Sequence, residues 1–289
     1  MKATTPRYYE QMDEQGNVYS QFGEDRVIQE VLSILKNEIT LDKWACEFGA
    51  WDGLHLSNTA NLIVSSGYSA VLIEADSNKF EFLALNMKPY PVECINAYVN
   101  LEGADTLDNL LSTTSIPSDF DLLSIDIDGA DYWILEGLQK FRPKVIVIEF
   151  NPTIPKEVRF INERDVSTNQ GSSLRSLAEL AQDKNYKVVD ITICNIILVD
   201  ERYEEAFSEK IITIENLPDP AYVNRVWQTF DGQIYTESEL HLLWHDVRFP
   251  NKSIQVLPKF LIVFPDNMGR IKKFLFSWWK KNLDRRAKR

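Results

Sequence analysis

The sequence predicts an α/β fold: a Rossmann-like, doubly wound sheet, mostly parallel, that closes in an antiparallel hairpin and is followed by a C-terminal extension. Three observations predict it. Apolar β-type runs alternate with helical patterns over the first two-thirds of the chain. A glycine turn, Glu47-Phe48-Gly49-Ala50-Trp51-Asp52-Gly53, follows the first of those runs. The last two runs are separated only by a short polar stretch around Asn195, which calls for reversal rather than crossover.

Val27, Ile28, Val31, Leu32 and Leu35 share one face of a helix over 24–36. A strand follows at 44–48, and Ser57 is the expected N-cap of a helix over 57–65. Strand 70–74, helix 78–86, strand 92–97 and a short helix at 106–111 continue the rhythm. The fourth strand, 121–127, runs into Asp128-Gly129, and another helix begins at Tyr132. The fifth, 145–150, is closed by Asn151-Pro152, since proline cannot donate to a central ladder. Leu174, Leu177, Ala178 and Ala181 mark a helix over 173–184, and strands at 187–191 and 196–199 make the hairpin. After Asp200 the rhythm stops, and only 237–245 reads as helix among turn signals such as Pro218-Asp219-Pro220 and Asp231-Gly232. The chain thus divides into an N-terminal arm (1–18), a main domain (19–203), an extension expected to pack on the core (204–269) and a basic amphipathic helix (270–289).

Charge is distributed unevenly. Residues 270–289 hold nine Lys or Arg and one acidic residue, which leaves 22 basic against 42 acidic before them. An acidic body argues against nucleic acid as a partner. With no run of about 18 apolar residues and no apolar signal core near Met1, the expectation is a cytoplasmic protein. Cys46, Cys94 and Cys194 stand singly in apolar runs and read as reduced core residues.

A strand end, an acid, two glycines and a helix start form a nest of backbone N–H groups able to receive a carboxylate or phosphate. Glu47 ends the strand, where its carboxylate can accept from an amino group; Gly49 permits close approach, and Gly53 turns the chain onward. Ala50-Trp51-Asp52 stands where a dinucleotide fingerprint needs its second glycine, so a small zwitterion fits better than a pyrophosphate. Glu74, with Ala75 after it, ends the second strand at the spacing from which an acid accepts both hydroxyls of a ribose. Asn96-Ala97, after the third strand, falls beside the adenine by topology. The cofactor these positions describe is S-adenosylmethionine.

Asp126 and Asp128 alternate onto one face at the end of the fourth strand. Two carboxylates so close repel unless a cation, a basic group or a raised pKa relieves them. Glu149, with Asn151, offers further oxygens for a hard divalent ion such as Mg or Mn. The plainer reading makes Asp128-Gly129 a turn and Asp131 a helix cap. Asp126 is also a candidate general base, as is His55 beside the glycine turn, whose imidazole titrates near neutrality. A histidine making only local hydrogen bonds at a helix start has equal weight there. His241 and His245 sit four apart on the expected 237–245 helix, a metal-compatible spacing that lacks a third ligand.

Together these residues resemble the FkbM-type methyltransferase family of the class I S-adenosylmethionine fold, over roughly 19–203. The resemblance is carried by Ser20-Gln21-Phe22-Gly23-Glu24-Asp25, by Glu47 to Gly53, by Ile73-Glu74-Ala75, by Asp121 to Gly129 and by Glu149-Phe150-Asn151-Pro152. Five parallel strands ending in a reversed hairpin is the class I order. The family commonly opens its glycine motif with Asp, from which Glu47 departs. The resemblance implies that Gln21, Glu47, Gly49, Gly53, Glu74 and Asp126 are cofactor or active-site positions. It further implies O-methylation of a small-molecule or glycan acceptor, with sugars and glycosylated natural products as typical cases. Two other readings stand beside it: a non-catalytic scaffold or sensor of the same fold in a surface-glycan assembly system, and a nucleotide-linked oxidoreductase, which the missing GxGxxG disfavours.

In the tail, Ile271, Phe274, Leu275, Trp278 and Trp279 recur at helical spacing among Lys272, Lys273, Lys280 and Lys281. This is an amphipathic helix with interfacial aromatics. It is expected either to touch the inner face of a membrane peripherally or to pack on the acidic body or a second subunit, making a homo-oligomer.

Overall fold

The computed structural model describes residues 18–287, so most of the expected N-terminal arm and the last two residues of the basic tail lie outside the described residues. Contacts divide the chain into one unit ending at Val223 and another beginning at Asn224.

In the first unit α1 (Glu24–Glu38) leads into β1 (Trp44–Phe48), α2 (Ala60–Ser66), β2 (Ser69–Glu74), α3 (Ser77–Met87) and β3 (Val92–Asn96). Then follow α4 (Leu107–Leu111), β4 (Leu122–Ile125), α5 (Asp131–Gly137), β5 (Val145–Glu149), α6 (Leu174–Asp183), β6 (Tyr186–Ile191) and β7 (Asn195–Asp200). The seven strands form one sheet in the order β3-β2-β1-β4-β5-β7-β6. The pairs from β3 to β5 are parallel, and β7 is antiparallel to both neighbours. This is the predicted class I arrangement. The chain winds outward from β1 to β3 and restarts at β4, so the carboxyl ends of β1 and β4 flank the point where strand order reverses, the usual ligand crevice of an open α/β sheet.

The central strands are apolar without interruption because both faces are covered. Along β5, Ile146 and Ile148 join one core layer with Phe48, Leu123 and Leu177, while Val145 and Val147 join the opposite layer with Ile28, Leu72 and Ile197. Beyond the sheet, residues 201–223 stay with this unit: Phe207 and Leu217 are buried, and the Tyr222 N–H donates to the Pro152 carbonyl (3.1 Å). The three cysteines are free, two buried and Cys94 half-buried.

Side-chain and backbone contacts move two boundaries from their expected places. The helix expected from Ser57 begins at Ala60, because Ser57, Asn58 and Thr59 are drawn onto Glu47. The fourth strand ends at Ile125 rather than Ile127, because Asp128 takes a left-handed conformation (φ 60°) and turns the chain.

The second unit holds two small antiparallel pairs, β8 (Val226–Gln228) with β9 (Ile234–Thr236) and β10 (Leu240–Leu242) with β11 (Val247–Phe249), and a terminal helix α7 (Arg270–Ala287). The helix expected over 237–245 is absent. Leu240 and Leu242 alternate against Val247 and Phe249, and a short 3-10 turn, Leu243–His245, ends at Asp246 (φ 47°). His241 and His245 therefore share no helical face, and His241 Nε2 lies 3.2 Å from Asp246 Oδ1 instead.

At the amino ends of the strands, fully buried Asp121 accepts from the backbone of Lys43 (2.8 Å) and Asp42 (3.2 Å) and pairs with buried Lys144 at 3.0 Å. Lys144 also reaches the Asp42 carboxylate and the Asp119 carbonyl. Removing one partner of a buried pair leaves an uncompensated charge, so Asp121→Ala is expected to destabilise the chain by about 3 kcal/mol. Urea denaturation checks this; a loss below about 1 kcal/mol would reduce the pair to the weight of a surface bridge.

Candidate functional site

The turn after β1 is built by backbone constraint. Gly49 (φ 76°) sits so near the loop after β4 that a Cβ there would stand 2.1 Å from the Asp126 carbonyl oxygen. Gly53 (φ 78°) is crowded less severely, by side-chain ends of Leu83 and Met87 of α3, and its positive φ favours glycine. Between them Trp51 is held at φ 48°, a conformation bulky residues rarely adopt. The Ala50 N–H donates to the Ile73 carbonyl (3.2 Å) and Gly53 to that of Ala50 (2.7 Å), which pins the turn across the ends of β1 and β2.

Glu47 is buried, and three donors already hold its carboxylate: the Ser57 hydroxyl (2.6 Å), the Thr59 hydroxyl (2.7 Å) and the Asn58 N–H (2.9 Å). These bonds fix the carboxylate at the carboxyl end of β1. Burial nonetheless raises its pKa against those hydrogen bonds. Asn58 also donates to the Ser124 hydroxyl of β4 (3.0 Å), so the segment before α2 stitches β1 to β4.

Glu74, also buried, spans two loops. Its carboxylate accepts the Trp51 N–H and the Asp76 N–H, both at 2.8 Å, which leaves about two lone pairs for hydroxyl donors. Asn96 is exposed and both ends of its amide are engaged: Nδ2 donates to the Glu74 carbonyl (2.8 Å), and Oδ1 accepts from Ser77 (3.1 Å). Ala75 is exposed and Ala97 half-buried at the same edge. His55 lies exposed on the turn, its N–H bound to Asp52 Oδ1 (2.8 Å) and its ring edge-on to Trp51 (5.1 Å), with Lys79 Nζ 4.4 Å from the Trp51 ring.

Asp126, Asp128 and Glu149, on the adjoining ends of β4 and β5, present carboxylate oxygens within 4.8 Å of one another. Burial, then Asp131 and Asp128, push the Asp126 carboxyl well above the usual carboxylate range; burial, then Asp126 itself, do the same to Glu149. Asp131 behaves differently. As the first residue of α5, its oxygens reach back to the N–H groups of Ile127 (3.0 Å) and Gly129 (2.9 Å), so it holds the loop in shape although burial still raises it to about 6. Asn151 does not join the cluster: its amide oxygen accepts from Thr153 and its Nδ2 donates to the Gln170 carbonyl.

Sequence reasoning passed over Glu24. It is fully buried, accepts from Phe22 N–H (2.7 Å), Thr192 hydroxyl (2.6 Å) and Asn195 Nδ2 (3.2 Å), and adds its field to Asp126. Neighbouring Asp25 collects the N–H groups of Val18, Tyr19 and Ser20. The Ser20-to-Asp25 motif thus serves as an anchor that ties α1 to the β6–β7 hairpin, with Gln21 exposed upon it. Two adjacent acids at an apolar helix start were the available signal.

No curated protein matches the chain. Among solved structures it is similar to a SAM-dependent methyltransferase from Aquifex aeolicus (12% identity, TM-score 0.35), covering 59% of this chain and 87% of that one. It is similar also to the precorrin-6y C5,15-methyltransferase of Geobacter metallireducens (17%, TM-score 0.36, 65% and 95% covered). A third is the CurJ carbon methyltransferase (7%, TM-score 0.41, 62% and 55% covered). Residues 103–188, the segment that carries β4, β5 and the acidic cluster, match the model of the methyltransferase FkbM domain.

Proposed function

We propose that the chain transfers the methyl group of S-adenosylmethionine to a hydroxyl oxygen of a sugar, a glycan or a glycosylated natural product. The observation that carries this reading is the cluster of Asp126, Asp128 and Glu149 at the switch point, joined through Gly49 to the turn after β1. The Glu47 carboxylate at the end of β1 suits the amino group of the methionine end, and the two lone pairs that Glu74 keeps suit the ribose hydroxyls. Bound S-adenosylmethionine supplies an electrophilic methyl carbon on a sulfonium.

The chain's part is to place the acceptor oxygen in line with that carbon and to take its proton. As the oxygen–carbon bond forms, the carbon–sulfur pair stays on sulfur and the hydroxyl proton passes to a base. Asp126 suits that role because its raised pKa brings proton acceptance toward neutrality. His55, exposed on the neighbouring turn, is the other candidate.

The donor set also fits a divalent cation. Three clustered oxygens, two of them on carboxyls lifted first by burial and then by neighbouring carboxylates, match a hard ion such as Mg or Mn, and the ion would supply compensating positive charge. Asp126, Asp128 and Glu149 would hold it.

Glu74→Ala is expected to weaken S-adenosylmethionine binding about tenfold or more, roughly 1.4 kcal/mol at the least, measured by calorimetry. Unchanged affinity would remove Glu74 from the ribose site. Turnover to S-adenosylhomocysteine over a panel of glycan acceptors tests the reaction itself; cofactor binding without any acceptor-dependent turnover would refute it.

The cluster also sets a pH signature. Groups with raised folded-state pKa values keep protons that the unfolded chain has already released, so their contribution is fully present below about 4 and is lost as pH rises. For Asp131 the loss is complete past about 6, and for Asp126 and Glu149 it continues through neutrality. The melting temperature is therefore expected to fall between about pH 5 and pH 8, with a shallower slope in Asp126→Asn. Added Mg or Mn should restore stability at the upper end in the wild type and not in the variant. A slope unaffected by Asp126→Asn contradicts the assignment.

A further inference from the structure

The second unit carries the opposite charge to the first. From residue 224 onward there are thirteen Lys and Arg against six Asp and Glu, while residues 1–223 carry 18 against 37. The basic unit is also rich in uncovered aromatics. Ile271, Phe274 and Trp278, at i, i+3 and i+7 on α7, are 77%, 72% and 62% exposed, whereas Leu275, Phe276 and Trp279 are partly covered. Arg270, Lys281 and Arg285 fall at helical spacing on the same exposed flank.

We propose that this flank of α7 docks on an anionic lipid bilayer. Its mixture of rings and cations decides between occupants. Burial against a protein, a second copy included, would take Arg270, Lys281 and Arg285 out of water beside the aromatic stripe, which is favourable only where each meets a well-placed acid. A bilayer surface takes the rings at headgroup depth, while the long basic stems carry their charges out to lipid phosphates. The contact is peripheral, since no described helix is long and apolar enough to cross a membrane.

The test is co-sedimentation of the full chain with vesicles of phosphatidylcholine alone and with about one-third phosphatidylglycerol, at low and high salt. Pelleting is expected with the anionic vesicles only and should decline with salt. It should drop about tenfold or more in Phe274→Ser/Trp278→Ser, and likewise in Lys281→Glu/Arg285→Glu, both confined to the helix surface and checked for fold by circular dichroism. Absence of pelleting, equal pelleting on neutral vesicles, or variants that pellet like the wild type would overturn the proposal. So would a dimer, seen by light scattering without lipid and lost in Phe274→Ser/Trp278→Ser, if vesicles fail to bind.

Discussion

The close approach of Gly49 to the Asp126 carbonyl is the constraint on which the site depends. A hydrogen is the only substituent that fits there, because a Cβ would stand 2.1 Å from a backbone oxygen. Parallel pairing of β1 with β4 brings the two strand ends side by side, and the glycine lets their loops touch. The turn proposed for the methionine end and the carboxylate proposed to take the proton are thereby fixed to one another by main chain rather than by side-chain contacts. Geometry of this kind tolerates little drift, as an in-line displacement requires.

Around that contact the fold concentrates negative charge and settles most of it by hydrogen bonding. Glu24 is satisfied by Thr192 and Asn195, Glu47 by residues 57–59, and Asp131 by two N–H groups of its own loop. Asp126 and Glu149 have chiefly each other, and both are pushed up. Carboxylates with several donors, Glu47 among them, are fixed in place, whereas those facing another carboxylate are left able to accept a proton or a cation.

Most of this architecture was legible in the sequence, for physical reasons that also explain the failures. Strands buried on both faces write themselves as unbroken apolar runs, so β1, β2 and β5 fell within a residue of their predicted limits. The trio Asp126, Asp128 and Glu149 followed from placing acids at the ends of adjoining strands, a matter of topology alone. Asn151 was a reasonable extra ligand by position, yet its amide prefers Thr153 and Gln170, a choice made by loop geometry that spacing does not encode. The 237–245 segment failed because Leu240-His241-Leu242 suits either period, and pairing with β11 decided in favour of the strand. Glu24 was missed because its partners, Thr192 and Asn195, lie far along the chain.

The loop that carries Asp128 is bordered by a different kind of segment. Residues 151–173, between β5 and α6, contain no helix or strand, yet they fold against the loop after β4: a Cβ on Gly129 would meet the Thr168 carbonyl at 2.3 Å, and one on Gly171 would meet Asn151. Tyr98 hydroxyl donates to the Val166 carbonyl (2.8 Å) and Trp133 Nε1 to that of Asn162 (3.0 Å), so side chains from the strand-following loops and α5 hold this segment by its backbone. Because those bonds go to main-chain carbonyls, they do not fix the identities of Val158 and Phe160, both exposed. A sheet-end site that fixes its geometry in backbone contacts, and leaves its rim to an irregular loop, is physically suited to the range of acceptors proposed above.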